Sequence, residues 1–228
     1  MLTRGLVREL ALALRERVLP QLGSHVARSH EEGFRDGDVT FAIDAAAERT
    51  LAEFLAERGG GMVQSPPVRL SANERLDRMF WTYGFRGRPA RPTAEALAEL
   101  IDASSVGGAT FELGSASFDM TRVVTGQLDA YVEPGPRLVA DVPGLRAEFE
   151  RVGHGAVLNN SPYDLAAAAL VLEEAGALVT DAYGRPLSDR PLLGSDAEFQ
   201  MSIVASANPA LHARILAVVD EGVRRVSG

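Results

Sequence analysis

Apolar positions recur along this chain with two different periods, and the changes of period mark its elements. Leu6, Leu10, Leu12, Leu14 and Val18, interleaved with arginines, predict a first amphipathic helix that ends near Pro20. Ile43, Ala47, Leu51 and Leu55 share one helical face and predict a second helix over 40–58, with Asp44 and Glu48 on the neighbouring stripe. Gly59-Gly60-Gly61 and Pro66-Pro67 then break the pattern. The expected boundary falls there, between a helical segment over 1–58 and an α/β region over 59–228, the two forming one compact domain.

Beyond the break, short apolar runs alternate with helical patterns. Strands are predicted at 79–83, 109–113, 128–132, 178–180 and 201–205. Helices are predicted at 92–101, from Gly114-Ser115 to Val124, from Ser161 to Gly176, and over 210–226, the last capped by Asn208-Pro209. Pro134 to Asn160 reads as irregular, around a short helix at 145–151. Strands alternating with helices imply a layered α/β arrangement.

Composition narrows the chemistry. The 228 residues contain no cysteine and no lysine, so a thiolate metal site, a cysteine nucleophile and a lysine Schiff base are excluded. A net charge of −8 argues against general binding to nucleic acid polymers. Charges interrupt the apolar start of the chain, and no apolar run approaches a membrane span, so a cytoplasmic protein with no membrane partner is expected. The cluster Arg86-Gly87-Arg88-Pro89-Ala90-Arg91 reads as a solvated loop, with bidentate anion recognition as the alternative.

Three stretches can carry chemistry. Ser161, Pro162 and Asp164 fit the N-cap, N1 and N3 positions of a capping pattern. A carboxylate at a helix mouth can also bind a hard cation, given partners. At Gly114-Ser115 a strand gives way to a helix, where free N–H groups favour phosphate; tight helix–sheet packing at small residues is the plainer reading. Asp44 and Glu48, four residues apart, face one way on their helix; a solvated acidic stripe is the commoner meaning.

The order of these stretches is more specific than any of them alone. The series runs D-V-T-x-x-x-D-x-x-x-E from Asp38, then G-S-A-x-x-D-x-x-x-V-x-x-G-x-L-D-A-Y-x-E from Gly114 to Glu133. It ends with Y-D-L-A-A-A-x-x-x-x-E-E-A-G-A-x-V-T-D-x-x-G-x-P-L from Tyr163. It resembles the inositol monophosphatase-like family, over about 1–58 and 59–220. That resemblance implies an αβαβα sandwich and a magnesium-dependent phosphomonoesterase acting on a small phosphorylated sugar, inositol or nucleotide. It further implies that Asp164 binds metal, that Gly114, Ser115 and Ala116 line the phosphate and substrate pocket, and that Glu133 contacts substrate hydroxyls. Asp44 matches the catalytic aspartate that orients a water-activating threonine.

The chain also departs from the family pattern. No D-x-x-D-G-T is present, and the acidic pairs Glu31-Glu32 and Glu173-Glu174 lie elsewhere than the family's Glu-Glu motif. Arg58 to Ser71 resembles the family segment that follows this motif block, so most of the first sheet is expected to be missing. Residues 134–160 form an insertion. Hard cations want six or more oxygens, so Mg2+ binding and activity are expected to be impaired. Three readings follow: a diverged phosphatase, a non-catalytic relative that binds a phosphorylated metabolite or a protein, and a parent protein with a segment this chain lacks. The uncovered helix face leads us to expect a homodimer.

Overall fold

The computed structural model describes residues 4–21, 47, 49–51, 53, 54, 57, 69–188, 190, 191, 194 and 196–228. The chain divides into two compact units, Met1–Pro67 and Val68–Gly228. In the first, helix α1 (Arg4–Val18) ends in a 3-10 turn, Leu19–Gln21, where Pro20 stands. The described residues between 47 and 57 are helical.

The second unit is built on five strands: β1 (Phe80–Tyr83), β2 (Ala109–Phe111), β3 (Ala130–Glu133), β4 (Leu178–Thr180) and β5 (Ile203–Ser206), in the order β2-β1-β3-β5-β4. β1 runs parallel to β2 and to β3, with Trp81 opposite Thr110 and Ala130. β5 runs antiparallel to both β3 and β4. The helices are α2 (Ala90–Ser104), α3 (Ala116–Val124), α4 (Gly135–Asp141), α5 (Leu145–Val152), α6 (Pro162–Glu174) and α7 (Pro209–Val226).

Strand alternation sorts the core into two layers. Trp81, Ala130, Val132 and Val204 face α2 and α7, which contribute Leu97, Leu100, Leu211, Ile215 and Val219. Tyr131, Ile203, Ala205 and Val179 face the opposite side, where α3 and α6 contribute Met120, Val123, Leu165 and Leu172. Each large apolar side chain buried in this way stabilises the fold by roughly 1.5–3 kcal/mol. At Gly222 the chains of α2 and α7 touch: a Cβ there would lie 1.9 Å from the Ala96 carbonyl oxygen. The result is a helix–sheet–helix sandwich.

Residues 134–160, read from the sequence as an insertion, differ from the sequence expectation. The segment carries the predicted helix, α5, and a further helix, α4, that its prolines and glycine hid. Pro134 is no obstacle, because it sits at the N-cap of α4, where a missing N–H costs nothing. Leu138, Val142, Leu145, Phe149 and Val157 enter the α2/α7 core, so the insertion is part of the fold's interior. Arg137 fastens it. Its Nη1 donates to the Ala182 carbonyl at 2.8 Å and its Nε to Asp141 at 3.1 Å. It also pairs with Asp220 on α7, and its guanidinium stacks 4.5 Å from the Tyr183 ring centre.

Candidate functional site

The carboxyl ends of β1, β2 and β3 point the same way, and in open α/β sheets ligands bind beyond such ends. Three connections leave from this edge: 84–89 after β1, 112–115 after β2, and the turn into α4 after β3.

The connection after β2 carries Gly114, Ser115 and Ala116. Gly114 has φ 83°, a left-handed value that lets the chain turn sharply into α3. Ser115 is the N-cap, its Oγ accepting from the Phe118 N–H at 3.4 Å. Gly114 and Ser115 are exposed and Ala116 is half-buried. The N–H groups of Ala116 and Ser117 are among those a helix start leaves without an internal partner. They carry the positive end of the helix dipole.

Asp164 opens the neighbouring helix, α6. Its Oδ2 accepts from the Ser161 N–H at 2.8 Å, so it is the N3 acid of a capping box, as the sequence pattern predicts. The Ser117 hydroxyl on α3 donates to the Asp164 carbonyl. That bond draws the two helix mouths together, and α3 packs along α6 behind them. The structure therefore brings Gly114, Ser115, Ala116 and Asp164 to one place.

Glu133, unlike the exposed Gly114-Ser115 turn, is sealed from solvent. It ends β3 and is 0% exposed. Oε1 accepts from the Gly135 N–H and Oε2 lies 2.7 Å from the Arg88 guanidinium, each at 2.7 Å. Gly84 closes over it: a Cβ there would fall 1.9 Å from Oε2. Burial pushes the Glu133 carboxyl up from its ordinary range, and the Arg88 charge and the Gly135 N–H oppose that rise. Arg88 is accordingly no solvated loop residue. The sequence cluster misled because Arg86 and Arg91 flank a guanidinium that turns inward to a buried carboxylate.

Sequence reasoning missed two further residues. Asp119, in the first turn of α3, is 1% exposed with Oδ1 unpartnered. Burial, aided by the Glu112 charge, pushes its carboxyl up to about 7. The signal was present, since Asp119 is the aspartate of the G-S-A-x-x-D pattern. Asn160, the last residue of the insertion, is buried; its Oδ1 accepts from Arg88 at 3.2 Å and its Nδ2 donates to the Tyr131 hydroxyl at 3.0 Å. Nothing local in the sequence marks it. Asp44 lies outside the described residues.

A hard divalent cation would need several convergent oxygens. Among the described residues no three His, Asp or Glu side chains converge in a way that could hold a metal ion. Asp164 offers a single carboxylate, one oxygen of which already caps α6. The described residues therefore do not by themselves fit a Mg2+ site.

Comparison with known proteins identifies the family and the fold. The model of the inositol monophosphatase family matches residues 37–224. A SuhB protein of Neisseria meningitidis serogroup B is 27% identical over 207 residues, covering 90% of this chain and 63% of the relative. The chain thus spans less than two thirds of the curated relatives it matches. Among solved structures, an IMPase of Thermotoga maritima superposes with a TM-score of 0.59 at 16% identity, covering 98% of this chain and 100% of the other. The SuhB of Bartonella henselae gives 0.59 at 16% identity, covering 96% and 99%. These structural likenesses bear on the fold, which they share. The family match spans most of the chain, and the chain belongs to the inositol monophosphatase family.

Proposed function

We propose that this chain is a phosphomonoesterase of reduced power that binds a small phosphorylated sugar, inositol or nucleotide at the joined mouths of α3 and α6. The observation that carries this reading is the Ser117–Asp164 bond, which sets two positive helix ends side by side at the carboxyl edge of the sheet. The N–H groups of Ala116 and Ser117 would hold the phosphate oxygens, and Asp164 would orient what approaches them. Family members generally use Mg2+, which supplies charge neutralisation and an acidified water when bound. The donor set among the described residues is thin, and weak hydrolysis would follow from it.

A second reading is favoured by the same thin donor set together with the sealed Glu133. In it, the chain binds a phosphorylated metabolite, or a protein, without turning it over. Phosphate release from a panel of sugar, inositol and nucleotide monophosphates, with Mg2+ and with EDTA, separates the two. Slow Mg2+-dependent turnover abolished by Asp164→Ala supports the first. Binding of the same esters without turnover supports the second. Neither binding nor turnover by folded protein overturns both.

A further inference from the structure

The insertion ends where the candidate site begins, and one side chain spans the junction. Asn160 is buried at the carboxyl edge of the sheet. Its Oδ1 accepts from Arg88 on the connection after β1, and its Nδ2 donates to the Tyr131 hydroxyl on β3. Its carbonyl accepts from the Met201 N–H just before β5, at 3.0 Å. One residue is therefore tied to segments associated with three different strands.

The next residue is Ser161, whose N–H is the donor to Asp164 Oδ2. The Asn160 carbonyl, held by the Met201 N–H, and the Ser161 N–H belong to one planar, stiff peptide unit, and the side-chain anchor on Arg88 holds the Cα from which that unit starts. Fixing Asn160 thus fixes the direction of the Ser161 N–H, and with it the carboxylate that opens α6. Arg88 in turn is held by Glu133 and by the Arg86 carbonyl. The sealed Glu133 acquires a purpose here, as the counter-charge that keeps Arg88 in place to grip Asn160.

We infer that Asn160 is a positioning residue, which through its bond to Arg88 sets the Ser161 N–H and the Asp164 carboxylate at the mouth of α6. As a role in phosphomonoester binding it rests on the function proposed above; as a statement about Asp164 it stands independently of it.

Amide hydrogen exchange at Ser161 and titration with inorganic phosphate, both on the full chain, test the inference. Asn160→Ala is expected to speed Ser161 exchange about tenfold, as loss of a buried hydrogen bond would, and to weaken phosphate binding by a similar factor. Asn160→Asp keeps the acceptor towards Arg88 and is expected to hold Ser161 exchange within about threefold of wild type. Tyr131→Phe removes only the other partner and is expected to leave Ser161 exchange unchanged. Wild-type exchange in Asn160→Ala, or equal acceleration in Asn160→Ala and Tyr131→Phe, overturns the inference. Should Asn160→Ala not fold, fast exchange in folded Asn160→Asp overturns it and protected exchange supports it. A wild type that ignores phosphate while Ser161 responds as stated sinks the proposed function and leaves the positioning role intact.

Discussion

The two sides of the sheet are finished differently. On the α2/α7 side the insertion adds Leu138, Leu145 and Phe149, and the core closes over Trp81. On the α3/α6 side the helices bury their inner faces but present Phe118, Tyr163, Leu170 and Val171 outward, Leu170 at 59% exposure. Both sides contribute packed core, but the α2/α7 side is covered more completely. The open side is where the helix mouths, Asp164 and the exposed Gly114-Ser115 turn lie.

The largest effect is expected between these sides, at the buried pair. Arg88→Met leaves the Glu133 carboxylate without its counter-charge and should cost about 3–5 kcal/mol in denaturant unfolding. Adding Glu133→Gln to that variant should recover much of the loss. If Arg88→Met alone is neutral, the pair does not exist as described.

Core contrast comes next. Phe149→Ala, in the insertion, should cost about 3–5 kcal/mol. Phe118→Ser, half exposed on α3, should stay within about 0.5 kcal/mol. A mild Phe149→Ala would mean the insertion is peripheral, contrary to its place in the α2/α7 core.

The pH response should differ between the sides as well. His212 on α7 lies buried against the sheet, with Ser206 Oγ on Nδ1 and Thr180 Oγ1 on Nε2, each at 2.9 Å. Burial lowers its pKa from 6.5 to about 4. The folded state thus favours the neutral ring: the contribution is present above pH 6.5 and is lost as pH falls towards 4, by about 3 kcal/mol at most. Asp119 on α3 has the opposite sign. Its folded pKa, about 7, is raised above the ordinary 3.8, so its contribution is present below 3.8 and is lost as pH rises through 7. Asp119→Asn should therefore stabilise the protein at pH 8, by on the order of 2 kcal/mol, and do little at pH 4. Denaturation midpoints at the two pH values check both signs.

Legibility in the sequence followed the range of the interaction. Helix α7 with its Asn208 cap, the strand at 178–180 and the capping role of Asp164 were readable, because each is decided by residues within a turn or two of one another. The α3 mouth was readable for the same reason. Helix α4 was not, since Pro134 and Gly135 look like loop residues until Leu138 is seen to dock in the core. Arg88, Glu133 and Asn160 are far apart in the chain, and their pairing depends on β1 lying beside β3. No periodicity reports that, so the buried Arg88 looked like part of a surface cluster. The family motifs compensated in part, by indicating which positions meet.

Backbone amide shifts during titration with inorganic phosphate test whether the joined helix mouths of α3 and α6 bind an anion. The expected result is saturable shifts concentrated at Ala116, Ser117, Tyr163 and Asp164, with smaller changes at Asn160 and none at Phe149. Shifts confined to other surfaces, or none at all at concentrations where family substrates bind, would contradict it.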